Sequence, residues 1–196
     1  MKVSVVAADR IPGMMPPALL SVLASAADHA SPHPIAEVGC WRGRTTRVLC
    51  DHTRGPVYAV DTWDGSPGLE EEMAFMRSHT GDRDWVFHEF QRNLAGAGQL
   101  QIIREPSVIA ASVLWHKGIR FAMVFIDALH DYDSVRKDIQ AWLPLMMRGG
   151  LLCGHDFTFP EVNRAVTEAF PELAENPDPH ADIWGVRLGV AAGVEA

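Results

Sequence analysis

Cysteine is scarce in this chain. Only Cys40, Cys50 and Cys153 occur among 196 residues, an odd count without metal-type spacing, which argues against a disulfide framework and suits a reduced, cytoplasmic protein. Long apolar runs are missing too. No stretch approaches the ~20 residues that span a bilayer, and Met1 to Arg10 has neither the length of a signal-peptide core nor a cleavage site, so a soluble protein with no membrane partner is expected. Positive charge is in deficit: Lys and Arg number 17 against 25 Asp and Glu, a net charge of -8. Because a phosphate backbone is bound chiefly through Lys and Arg, this balance argues against nucleic acid and points to a small-molecule partner.

Length and composition then bound the architecture. The chain suffices for one domain over residues 1–196 with a substantial core, and 47% hydrophobic with 21% charged residues is the balance of a folded protein. After a Pro-, Gly- and Met-rich stretch, Ile11 to Pro17, expected to be a mobile lead-in, the spacing predicts a helix over Ala18 to Ala30. Strands are expected at Ile35–Val38, Val57–Val60, Leu100–Ile103, Phe121–Ile126 and Leu151–Cys153. Helices are expected at Thr45–Asp51, Arg83–Leu94, Ser107–Trp115, Ser134–Met147 and Pro160–Phe170, with Ser107 as an N-cap. Leu173 to Val190 offers two short strand candidates. This alternation implies an α/β fold with a mostly parallel sheet, helices on both faces and an antiparallel edge. The regular alternation is interrupted at about residues 64–94, a lid-like insertion.

Chemistry-bearing residues gather where open α/β sheets bind ligands, past the ends of strands. Glu37-Val38-Gly39-Cys40-Trp41-Arg42-Gly43 joins the first strand to a helix whose free N–H groups could face a ligand. Trp41 would crowd a pyrophosphate, which disfavours a nicotinamide dinucleotide. Asp61 closes the second strand 24 positions after Glu37, where Rossmann-like folds keep an acid for ribose hydroxyls. Trp63 beside it is read as packing. Asp127 and Asp156, 29 positions apart, end two adjacent strands, so their carboxylates could converge on one divalent cation with His130 and His155 in reach. Oxygen ligation suits Mg²⁺, while two imidazoles keep Mn²⁺, Fe²⁺ and Zn²⁺ open. Val135, Ile139, Trp142, Leu143 and Met146 fall at helical spacing and are read as core, and Asp131 as a helix cap.

The stretches Glu37 to Thr45, Val60-Asp61-Thr62-Trp63-Asp64-Gly65, Phe125 to Tyr132, and Arg148-Gly149-Gly150 through Phe157 resemble those of class I S-adenosylmethionine-dependent methyltransferases. Within that group they are similar to small bacterial proteins related to macrocin and cephalosporin-cluster O-methyltransferases. The resemblance implies a Rossmann-like, seven-stranded mixed sheet in the order 3-2-1-4-5-7-6. It implies a cofactor-binding set of Glu37, Gly39, Gly43, Asp61, Thr62, Ser107 and Asp127: Glu37 and Gly39 near the methionine part, Asp61 on the ribose, Ser107 with Pro106 by the adenine. It further implies a metal set of Asp127, His155 and Asp156, and His130 with Asp127 as catalytic residues, His130 as base. At His155 this sequence carries imidazole where several relatives carry an acid. The implied reaction is methyl transfer to a hydroxyl of a sugar or natural product, with a homodimer as the expected assembly. A non-catalytic S-adenosylmethionine-binding protein and a metal-dependent hydroxylase are the alternatives the residues leave open.

Overall fold

Short apolar runs become central strands when both of their faces are covered. In the computed structural model, which describes residues 7–65, 74, 78, 80–175 and 182–189, the strands are β1 (Ile35–Val38), β2 (Val57–Val60), β3 (Leu100–Ile103), β4 (Phe121–Ile126), β5 (Met146–Gly154) and β6 (Trp184–Arg187). They form one sheet in the order β3-β2-β1-β4-β5-β6. The first five run parallel, with Ile35 opposite both Val57 and Met123, and β6 is antiparallel to β5 with Trp184 opposite Gly154. The class of fold is as expected. The strand count among the described residues is six rather than seven, and part of the tail that was to supply a further strand lies outside them, as does much of the insertion at about 64–94.

Alternate residues of the strands point to opposite layers. Ile35, Val57, Ala59, Met123 and Phe125 pack under α1 (Pro17–Ala30), α2 (Arg44–His52) and α3 (Trp85–Asn93). Ala36, Val38, Val60, Val124 and Ile126 pack under α4 (Ser107–His116), α5 (Tyr132–Trp142) and α6 (Pro160–Ala169). Trp142, Phe121 and Phe125 are fully buried, each burying apolar area worth about 2 kcal/mol or more. The sheet reverses its winding between β1 and β4, which opens a crevice beyond their carboxyl ends.

Several boundaries move for identifiable reasons. The helix expected to reach Met147 stops at Trp142, because Pro144 has no N–H to continue the ladder; a 3₁₀ turn at Leu143–Leu145 follows and Leu143 is exposed. Met146 then opens β5, five residues earlier than expected, and the register slips between Phe121–Met146 and Met123–Leu151 to absorb the extra chain. Ser107 is not an N-cap: Pro106 takes that position and Ser107 is the first helical residue. The Ile11–Pro17 stretch is fixed on α2 rather than loose, since Arg44 donates to the carbonyls of Ile11 and Gly13 at 3.3 and 3.4 Å and Ile11 and Met15 are buried.

Asp131 caps α5, its carboxylate accepting the Ser134 N–H at 3.0 Å. Asp131→Ala is expected to cost about 1 kcal/mol and lower the melting temperature by about 2–4 °C, read by differential scanning calorimetry.

Candidate active site

At the crevice, β1 delivers Glu37 and the loop after it, β2 delivers Asp61, β4 delivers Asp127 and β5 delivers His155 and Asp156 to one cavity of about 950 Å³. Glu37, Gly39, Asp61, Thr62, Ser107, Asp127, His130, His155 and Asp156 all line it. Gly43 stands outside the lining. At φ 87° it starts α2, and a Cβ there would meet Leu94 Cδ2 at 2.3 Å and Phe90 Cδ2 at 2.9 Å, so its bareness serves the packing of α3. Gly39, at φ 88°, is as tightly constrained: an added Cβ would lie 2.0 Å from the Asp127 carbonyl oxygen, where the loops after β1 and β4 touch.

Asp61 holds the cofactor half of the crevice together. One oxygen accepts the N–H groups of Cys40 and Trp41 at 2.7 and 2.9 Å, and the other accepts that of Trp63 at 2.7 Å. Trp41 and Trp63 both have positive φ, 45° and 56°, a conformation that non-glycine residues adopt only when their surroundings enforce it. The Trp63 indole N–H closes the arrangement on the Trp41 carbonyl at 2.8 Å, while its ring packs between Phe87 and Phe90. Oδ1, with the Trp63 N–H as its one backbone donor, keeps a second lone pair, so Asp61 can still accept from a ligand in the cavity.

Glu37 is buried, with no cationic partner among the described residues. Thr46 donates to its carboxylate at 2.5 Å, but burial outweighs that bond and pushes the group up to about 8, helped by the negative charges of Asp127 and Asp61. It is therefore mostly protonated at neutral pH in the free protein. At the far end of the cavity Ser107 accepts from the Trp142 indole at 2.9 Å, beside Asp138, a nearly buried acid pushed up to about 6 by desolvation. Asp138 also lines the cavity. Sequence reasoning overlooked it, although an acid on the apolar face formed by Val135, Ile139 and Trp142 was a signal in plain view.

The second half of the crevice concentrates charge. His130 Nε2 lies 2.8 Å from Asp156 Oδ2 and 3.9 Å from Asp127 Oδ1, and His155 Nδ1 lies 3.2 and 3.7 Å from the same atoms. Asp156, at φ 56°, is another residue in a left-handed conformation, and that turn aims its carboxylate back between the two imidazoles. The carboxylates of Asp127 and Asp156 raise His130 to about 10 against the cost of burial. Burial alone would favour protonation of Asp156, but the two imidazoles prevail and hold it below the usual carboxylate range. Asp127, His130 and Asp156 present ligand atoms within 4.8 Å of one another, as do His155, Asp156 and Asp182. Oxygen and imidazole donors in this number fit a divalent cation. Asp182, which precedes β6, was not anticipated; no local pattern marks it, because only the docking of β6 brings it across.

A sheet in this order, an acid-anchored loop after β1 and an acid after β2 agree with the fold of class I S-adenosylmethionine-dependent methyltransferases. The chain belongs to the methyltransferase domain family, which matches residues 36–157. Solved structures of similar fold include CalS11, a calicheamicin methyltransferase and TDP-rhamnose 3′-O-methyltransferase (TM-score 0.61, 14% identity, 88% of this chain and 78% of that one). The O-methyltransferase NovP has a TM-score of 0.58 with 18% identity, covering 87% and 79% of the two chains. The O-methyltransferase TomG from Streptomyces achromogenes, in complex with S-adenosylmethionine, has a TM-score of 0.60 with 15% identity, covering 84% and 71%. No curated protein sequence matches the chain. Among the described residues no helix is long and apolar enough to cross a membrane.

The charge state of Glu37 yields a stability signature. Because folding raises this carboxyl from 4.5 to about 8, the unfolded chain ionises first, and the penalty on the fold grows as pH rises from about 5 and levels off above 8. Glu37→Gln removes that penalty. The variant is expected to melt several degrees higher than the parent at pH 8, with the difference shrinking toward pH 5 in thermal denaturation of the ligand-free protein.

Proposed function

We propose that the protein transfers the methyl group of S-adenosylmethionine to a hydroxyl oxygen of a small acceptor, a sugar or a natural product, with a divalent cation at Asp127, His155 and Asp156 assisting. One observation carries this reading: the same cavity holds the Glu37 and Asp61 half and the Asp127, His130, His155 and Asp156 cluster. A protein that only bound the cofactor would have no use for two acids and two imidazoles converging beside it. The hydroxyl acceptor is supported by the shared fold with NovP and TomG, both O-methyltransferases, and the sugar by CalS11, which acts on a rhamnose.

In this reading Asp61 accepts from the ribose through the remaining lone pair of Oδ1, Glu37 and Gly39 border the methionine part, and Ser107 with Pro106 borders the adenine. The protein contributes chiefly alignment, holding acceptor oxygen and methyl carbon in line. When bound, the cation supplies a site that orients the acceptor and lowers the pKa of its hydroxyl. His130 takes the proton. In the free protein Asp127 and Asp156 keep His130 protonated. A cation held by those carboxylates would offset their support and lower His130 from its raised value, which would suit it to act as a base. Acceptor choice is assigned to the insertion at about 64–94, whose described part brings Val86 to the cavity wall.

Titration calorimetry with S-adenosylmethionine tests the cofactor half, and the absence of heat and of thermal shift would sink the reading. His130→Ala is expected to lower kcat toward hydroxylated acceptors by about 10²–10⁴-fold while cofactor affinity stays within about threefold. Parallel loss of cofactor binding would instead place His130 in the cofactor pocket.

A further inference from the structure

His155 differs from the other members of the cluster in having a carboxylate close to each ring nitrogen, on opposite sides. Nδ1 faces Asp156 Oδ2 and Asp127 Oδ1, as given above; Nε2 faces Asp182 Oδ2 at 3.2 Å. The side chain is only 12% exposed, and Nε2 is sealed from solvent with no completed hydrogen bond among the described residues. Asp182 is itself aimed. Its other oxygen accepts the Thr158 hydroxyl at 2.8 Å and its backbone carbonyl accepts the Phe157 N–H at 3.2 Å, which turns Oδ2 toward the imidazole. Asp182 therefore belongs to the loop that follows Asp156 as much as to β6.

An imidazole backed by a carboxylate on one nitrogen carries its proton there and offers the lone pair of the other, the arrangement that orients histidine ligands toward metals. We propose that Asp182 is the positioning residue that fixes His155 as an Nδ1 donor, making this a mixed nitrogen and oxygen site that selects a transition-metal dication over Mg²⁺. The inference rests on the cation-assisted reading given above and adds to it the identity of the metal class and the residue that sets it. A carboxylate site would accept Mg²⁺ on charge alone, whereas an imidazole donor favours ions further along the series from Mn²⁺ to Cu²⁺. His130, facing the same carboxylates from the loop before α5, is left for the proton of the acceptor.

The test uses the intact protein with Mg²⁺, Mn²⁺ and Co²⁺ alone as probes. Calorimetry is expected to show Co²⁺ bound at least about 100-fold more tightly than Mg²⁺. Asp182→Asn should weaken Co²⁺ by about 10–100-fold and Mg²⁺ far less. His155→Asp should narrow the ratio of Co²⁺ to Mg²⁺ affinity by about tenfold or more. Electron spin-echo spectra of bound Mn²⁺ should show imidazole nitrogen coupling that disappears in His155→Asp, a readout independent of whether Asp182→Asn folds well. An unchanged affinity ratio in His155→Asp, or nitrogen coupling that persists there at full strength, would overturn the inference and leave methyl transfer intact. Failure of every dication to bind the parent protein would remove cation assistance itself, a distinct result.

Discussion

Three backbone N–H groups donating to the Asp61 carboxylate fix the entrance to this crevice. They come from two separate loops, the one after β1 and the one after β2, and each would be a buried or half-buried donor without a partner if the carboxylate were removed. Holding both loops at once is what sustains the left-handed Trp41 and Trp63, and Trp63 in turn seats Phe87 and Phe90 of α3. Phe90 then packs over bare Gly43 at the start of α2. One acid thus ties the sheet edge to the helix layer above it. Its position at the end of β2 is suited to a ribose, but its present bonds show that it also builds the pocket.

The two halves of the cavity solve the problem of buried charge in opposite ways. Among the described residues Glu37 has the Thr46 hydroxyl against it and no cation, so it stays neutral, its ionisation deferred to about pH 8. Asp156 has two imidazoles against it and stays ionised. A low-dielectric cavity with a neutral acid at one end and a dense cluster of paired charge at the other is poised to receive positive charge at either end. A cationic cofactor meets that description.

Much of this was legible from residue order. Four of the six strands have the expected limits, because runs such as Val57–Val60 and Phe121–Ile126 are short and dominated by apolar residues that need burial. The convergence of Asp127 with Asp156 was legible too, since acids past the ends of neighbouring parallel strands must lie at one edge. Ser107 was misplaced by one position because a cap signal competes with the Pro106 that precedes it. Leu143 fitted the helical period, yet Pro144 broke the period before it could matter. Asp182 carried no signal at all. Its contact with His155 spans 27 positions and depends on an antiparallel strand whose register no local pattern encodes.

Sequence by itself determined the periodicities, the turn-forming glycines and which acids stand past which strands, all of them consequences of local sterics and of burial. Tertiary structure decided what those acids do. Whether Asp61 spends its oxygens on backbone donors, whether Glu37 lacks a cation, and which nitrogen of His155 faces which carboxylate depend on distances between segments far apart in the chain. Electrostatic energy varies with separation and dielectric, and neither exists until the layers have packed.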